Sequence, residues 1–107
     1  MFGLFKNAMN VTPEEAQQML SSDNPPKLVD VRGPSEWATG MIQGALKLND
    51  ALMKEMLEKW DKETPILCYC AHGVRSMQMA AFLQGKGFNQ VKSLQGGIAA
   101  WGQRKRA

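Results

Sequence analysis

What most constrains this chain is its rhythm: short apolar, β-like runs alternate with stretches of helical periodicity along nearly its whole length. A first extended piece ends at Val11. Thr12-Pro13-Glu14-Glu15 then opens a helix, with Thr12 as N-cap, Pro13 at the first helical position and Glu15 completing a capping box. Ala16, Met19 and Leu20 form its apolar face, and Pro25-Pro26 stops any continuation. Lys27 to Val31 reads as a buried strand. Gly33-Pro34 is a turn, after which Ser35 caps a short helix through Glu36, Trp37 and Ala38. Gly40 and Gly44 bracket a further turn before a third strand, Ala45 to Leu48. Asn49 or Asp50 caps a helix reaching about Trp60, with Leu52, Met53, Met56, Leu57 and Trp60 at helical spacing. Ile66 to Tyr69 is a fourth strand, Ser76 to Gln84 a helix, Val91 to Leu94 a fifth strand, and Ile98 to Arg104 a last helix. Strands that alternate with helices predict an α/β fold: a central parallel sheet of about five strands with helices on both faces. Ligands of such sheets bind at the carboxyl ends of the strands. Arg32, Cys70 and Gln95-Gly96-Gly97 stand there.

Composition narrows the classes. The 107 residues suit one domain, expected over 1–107 with a lead-in at 1–9 and a basic tail at 104–107. Lys plus Arg is 13 and Asp plus Glu is 10, a net charge of +3. Arg104, Lys105 and Arg106 account for the whole excess, so the body is neutral and no nucleic-acid partner is expected. That basic run reads as a solvated, frayed terminus. Two cysteines, Cys68 and Cys70, make no disulfide framework. With a single His they also make a poor metal site, so no metal and no cofactor are expected. No apolar run approaches the roughly 20 residues of a membrane span. Met1 to Phe5 lacks the features of a signal peptide. The expected location is cytoplasmic, with both thiols reduced.

The segment Cys70-Ala71-His72-Gly73-Val74-Arg75 leads from a strand end into a helix start. Such a junction can turn its backbone N–H groups inward as an anion-binding nest, with the positive end of the helix dipole behind it. A cysteine at the centre of that nest would ionise readily, with Arg75 adding positive charge. Thiols in such settings have pKa values of about 3.5–7.5, against about 8.5 when free. Gly73 supplies the backbone freedom a tight curl needs.

Four motifs together identify a resemblance. Leu28-Val29-Asp30-Val31-Arg32 with Glu36, Gly40-Met41-Ile42-Gln43-Gly44-Ala45, Cys70 to Arg75, and Leu94-Gln95-Gly96-Gly97-Ile98 with Trp101 occur in order and span nearly the whole chain. They resemble the motifs of the single-domain rhodaneses, a family of sulfurtransferases. The resemblance implies the rhodanese fold and a ping-pong transfer. A sulfane sulfur from thiosulfate or a persulfide donor is held as a persulfide on Cys70. It then passes to a thiophile: cyanide, a thiol or the cysteine of a sulfur-accepting protein. It further implies that the amides of Ala71, His72, Gly73, Val74 and Arg75 cradle the persulfide. Arg75 acts as clasp and positive charge, and His72 sits where substrate choice is tuned. Met41 and Gln43 depart from the family's usual His and Pro, a His read as mainly structural. The sequence leaves the oligomeric state open.

Other readings fit the loop less well. Cysteine phosphatases use a similar loop with five residues between Cys and Arg, whereas four separate Cys70 from Arg75 and six separate Cys68 from it. A non-catalytic rhodanese-like interaction module typically lacks the cysteine that is present here. A thiol redox protein would need Cys68 to resolve Cys70, and residues i and i+2 of a strand lie about 6.5 Å apart, near the upper limit for a disulfide. Cys68 is read instead as a buried small hydrophobe. Arg32 and Glu36 are expected to form a structural ion pair beside the site, and Asp30 to accept hydrogen bonds in a turn. Trp37, Trp60 and Trp101 are expected to pack helices onto the sheet.

Overall fold

The computed structural model describes residues 9–104. Most of the expected lead-in and basic tail therefore lies outside the described residues. Five parallel strands form one sheet: β1 (Asn10–Val11), β2 (Lys27–Asp30), β3 (Leu46–Lys47), β4 (Ile66–Tyr69) and β5 (Val91–Leu94), in the order β1-β5-β4-β2-β3. The helices are α1 (Pro13–Leu20), α2 (Pro34–Trp37), α3 (Asp50–Lys59), α4 (Val74–Gly85) and α5 (Gly97–Trp101). β4 is central, and all four of its residues are buried.

Side-chain alternation along the strands sorts the core into two layers. Val29, Ile66, Cys68 and Val91 face α3 and α4, meeting Met56, Ala80 and Leu83. Leu28, Leu67, Tyr69 and Leu94 face the other way, meeting Ala16 of α1 with Ile98 and Trp101 of α5 packed alongside. The expected parallel sheet with helices on both faces is therefore present.

Local signals explain the element boundaries. The capping box of α1 forms as read, with Thr12 Oγ1 accepting from Glu15 N and Glu15 Oε1 accepting from Thr12 N. Asn49 is the cap of α3, its Oδ1 accepting from Leu52 N at 2.8 Å. Three expectations are corrected. Gly33, not Ser35, occupies the N-cap of α2, because Pro34 takes the first helical position and Glu36 reaches back to the Gly33 N–H. Helix α4 starts at Val74 rather than Ser76, since Gly73 in the left-handed region turns the chain directly into it. Helix α5 ends at Trp101, and Arg104 is docked rather than frayed. Its guanidinium lies 3.8 Å from the Trp101 ring centroid and bonds the Trp101 carbonyl and Gln17.

Of the tryptophans, Trp60 and Trp101 pack against the core. Trp37 joins neither layer. Lys47 sits over its ring, and its indole N–H is buried with no hydrogen-bond partner among the described residues. No helix of the described residues is long and apolar enough to cross a membrane.

Candidate active site

Cys70 follows β4 directly, and its parity with Ile66 and Cys68 points it toward α4. Only 1% of its surface is exposed. The loop curls so that the Cys70 sulfur accepts from Gly73 N at 3.1 Å and Ser76 N at 3.4 Å, with the Ser76 hydroxyl at 3.5 Å. The curl depends on Gly73, whose φ of +104° suits glycine and whose α-carbon faces the backbone of Gly96.

The loop carbonyls point away from the sulfur and are held there. Ile98 N donates to Cys70 O at 2.9 Å, and Ala99 N donates to Ala71 O at 3.3 Å. The start of α5 thus takes up the acceptors of the loop and leaves its donors for the sulfur. Gly97 permits this approach: its φ is +64°, and a β-carbon there would overlap the Cys70 and Ala71 carbonyls.

Two opposing effects act on the Cys70 thiol. Burial raises its pKa, but the Ser76 hydroxyl and the N–H groups of Ser76, Gly73 and His72 favour the thiolate more strongly, so the net shift is downward. Cys68 behaves oppositely: burial, and then the neighbouring Cys70, push its thiol up to about 12. It is fully buried among Val29, Ile66 and Leu83, as its reading as a small hydrophobe implies. Both cysteines are free thiols.

At the mouth of the site Arg75 makes a bidentate ion pair with Glu36 of α2, both contacts at 2.8 Å. Hydrogen bonds from Arg75 and then from the Gly33 N–H hold the Glu36 carboxyl at about 2. Arg75 is in turn raised by Glu36 and also feels the charge of Cys70. His72 and Val74 are exposed around the opening, Val74 by 69%.

The expected Arg32–Glu36 pair is not formed. Arg32 turns inward to Asp30, with Nη2 2.9 Å from Oδ2, and Glu36 takes Arg75 instead. The reason is geometric. Asp30 Oδ1 accepts from the Arg32 backbone N–H at 2.9 Å, the turn acceptor expected of it, and that turn folds the Arg32 side chain back over its own carboxylate. The pair is buried and fully engaged: Arg32 Nη2 also donates to Gly40 O at 2.6 Å, and Tyr69 Oη donates to Asp30 Oδ2 at 2.6 Å. Tyr69 Oη accepts from Ile42 N at 3.1 Å. Burial, then the Asp30 carboxylate, push the Tyr69 hydroxyl pKa upward. The loop around Gly40 is therefore tied through backbone atoms of Gly40 and Ile42, which explains how Met41 and Gln43 are accommodated there.

Asp30 and Arg32 thus brace the carboxyl ends of β2 and β4, while Cys70, Gly73, Arg75 and Glu36 line the candidate site. Three contributors were not read from the sequence: Ser76, Tyr69 and Ser93, whose hydroxyl lies 2.8 Å from that of Ser76. Ser76 shares the buried stripe of Ala80 and Leu83 on α4, and Ser93 shares the inward face of Val91 on β5. A polar residue at an apolar position of each pattern was the available signal. Among the described residues, no group of three or more His, Cys, Asp or Glu side chains is placed to hold a metal ion.

Comparison with known proteins agrees with this fold. The family model described as Rhodanese-like domain matches residues 12–104. A protein of Ectopseudomonas mendocina named thiosulfate sulfurtransferase GlpE is 35% identical over 91 residues, covering 85% of this chain and 82% of that one. A protein of Allochromatium vinosum named sulfurtransferase is 37% identical over 91 residues, covering 85% of each. Among solved structures, a rhodanese-like domain protein from Staphylococcus aureus superposes with a TM-score of 0.73 at 30% identity, over 86% of this chain and 89% of that one. The human single-domain sulfurtransferase TSTD1 shares the fold, with a TM-score of 0.78 at 22% identity over 92% of this chain and 98% of its own. The chain belongs to the rhodanese family, and its activity is that of a sulfurtransferase.

Proposed function

We propose that this sulfurtransferase carries sulfur on Cys70, taking it from thiosulfate or a persulfide and passing it to a thiol, a protein cysteine or cyanide. The observation that carries this reading is the cradle of N–H donors and a hydroxyl around one thiol whose pKa is lowered. Relatives named thiosulfate sulfurtransferase support thiosulfate as a donor.

In the first half-reaction the Cys70 thiolate attacks the sulfane sulfur of thiosulfate. A new S–S bond forms, the S–S bond of thiosulfate breaks, and sulfite leaves with the electron pair. Cys70 becomes a persulfide anion, its outer sulfur within the ring of amides from Ala71 to Arg75. In the second, an acceptor thiolate attacks that outer sulfur, and Cys70 leaves as thiolate. Arg75, fixed by Glu36, faces the anionic donor, and exposed His72 and Val74 meet the rest of the substrate. Asp30 and Arg32 act through the scaffold. Because the cycle runs on a free thiolate, we place it in the cytoplasm, where thiols stay reduced.

The test is mass spectrometry after exposure to thiosulfate. One added sulfur on the peptide containing Cys70, lost on treatment with a thiol or cyanide, is the expected result. Full sulfur transfer by Cys70→Ser would overturn the assignment.

A further inference from the structure

Behind the cysteine lies a buried pair of hydroxyls that the transfer chemistry described above leaves unexplained. Ser76 and Ser93 are both fully buried, and their oxygens are 2.8 Å apart. Ser76 Oγ has one proton and three neighbours able to accept it: Cys70 Sγ at 3.5 Å, Gly73 O at 3.3 Å and Ser93 Oγ at 2.8 Å. The shortest contact competes with the sulfur. If Ser76 donated to Ser93, the sulfur would lose its hydroxyl donor and the Ser93 proton would be buried without an acceptor. If Ser93 donates to Ser76, both hydroxyls are satisfied and the Ser76 proton is free. It can then swing to the sulfur when the sulfur is charged and to the Gly73 carbonyl when it is not.

We propose that Ser93 is a positioning residue for sulfur transfer, donating its proton to Ser76 so that the Ser76 hydroxyl is aimed at Cys70 whenever that sulfur carries charge. The proposal rests on Cys70 being the sulfur carrier. Charge sits on the Cys70 sulfur twice per cycle, as the attacking thiolate and as the leaving thiolate when the acceptor takes the outer sulfur. In the persulfide between these steps the charge is on the outer sulfur, and the Ser76 proton returns to Gly73 O. No proton enters or leaves the pair.

The fold favours this arrangement. Ser93 is paired in register with Cys68 on β4, on the face of the sheet that α4 covers, so the hydroxyl is delivered by the rigid centre of the sheet rather than by the loop. The ionisable groups around the sulfur are Arg75 with Glu36 of α2, the Asp30–Arg32 pair at the end of β2, Tyr69 and Cys68 on β4, and His72 in the loop. Lys92 of β5 alternates to the opposite face, and α5 carries no charged residue. Changes at Ser93 leave all of these in place.

The readout is the pH profile of Cys70 alkylation by iodoacetamide, followed by peptide mapping, which needs no sulfur donor. Ser93→Ala and Ser93→Val keep the Ser76 hydroxyl but remove the donor that orients and polarises it, so the midpoint is expected to move up by about 0.3 pH unit, a fraction of a hydrogen bond to a charged group. They should also slow transfer from pre-formed Cys70 persulfide to a thiol about twofold. Ser93→Thr, the same shape as Val with a hydroxyl, should restore both. In a Ser76→Ala background Ser93→Ala should add nothing, because its effect passes through Ser76. An unmoved midpoint in Ser93→Ala, or additive effects of the two alanines, would overturn the proposal. If Thr and Val do not fold at this site, the Ser93→Ala profile and the Ser76 background decide alone. Failure here with sulfur still mapped to Cys70 refutes the relay only, whereas sulfur mapped elsewhere refutes the carrier.

Discussion

Gly97→Ala is the sharpest probe of how the loop is held open to the sulfur. At a φ of +64° an alanine incurs the left-handed penalty, about 1–2 kcal/mol. Its β-carbon also overlaps the Cys70 and Ala71 carbonyls, so α5 must withdraw from the loop. Withdrawal weakens the bonds from Ile98 N to Cys70 O and from Ala99 N to Ala71 O, each worth about 0.5–1.5 kcal/mol. Together the loss is about 2–5 kcal/mol. For a domain of about 100 residues, at about 4–8 °C per kcal/mol, Tm should fall by at least about 8 °C. The same substitution at Gly85, in α4 with open space around it, should raise stability by up to about 1 kcal/mol. Urea unfolding of the two variants measures the contrast. Iodoacetamide alkylation of Gly97→Ala at a temperature where it stays folded should show a raised Cys70 midpoint, because freed carbonyls no longer keep the amides turned inward. A Gly97→Ala protein within about 0.5 kcal/mol of the parent, with an unmoved alkylation profile, would refute the reasoning.

Three further expectations follow from the site. Glu36→Gln should raise KM for thiosulfate severalfold with a smaller change in kcat, since Arg75 loses its anchor; steady-state kinetics check this. Glu36 is held at about 2 when folded and titrates near 4.5 unfolded, so its stabilisation is complete above pH 4.5 and is lost as pH falls toward 2. The acid limb of a Tm-against-pH curve should therefore be shallower in Glu36→Gln. Cys68 has the opposite sign: with a folded pKa near 12 against an ordinary 9.0, its contribution is intact below pH 9 and is lost as pH rises toward 12. Cys68→Ala should flatten that alkaline slope while keeping most sulfur transfer, as differential scanning calorimetry and turnover would show. Tyr69→Phe removes the hydroxyl that joins Asp30 to Ile42 and should cost about 1–3 kcal/mol in urea unfolding.

How much of this was legible in the sequence depended on whether the signal was local. The Thr12 capping box, a cap at Asn49 or Asp50 and the strand at Ile66–Tyr69 are set by neighbours within four residues; the structure forms the box and the strand and takes Asn49 as the cap. The Cys70 loop was legible for the same reason, since its donors come from the residues that follow. Ion-pair choice was not. Arg32, Glu36 and Arg75 all have charges to match, and only the Asx turn at Asp30, which folds Arg32 inward, leaves Glu36 to Arg75. Ser93 and Tyr69 were missed because their partners, Ser76 and Ile42, are 17 and 27 residues away and meet only through sheet order. Helix starts lie two positions earlier than expected where proline or glycine claims the first turn, at Pro34 and Gly73.

The bonds from Ile98 and Ala99 to the loop carbonyls also set an order of events during synthesis. Cys70, Gly73 and Arg75 are all translated before the residues that orient them. While the ribosome is still adding β5, the loop at Cys70 has its full sequence but not its shape, and its thiol should behave as an ordinary one. Only when Gly97 to Ala99 have emerged and β5 has docked between β1 and β4 can the amides converge. Ionisation of Cys70 is thereby delayed until α5 has docked, and a chain cut before Gly97 should carry a largely unreactive cysteine.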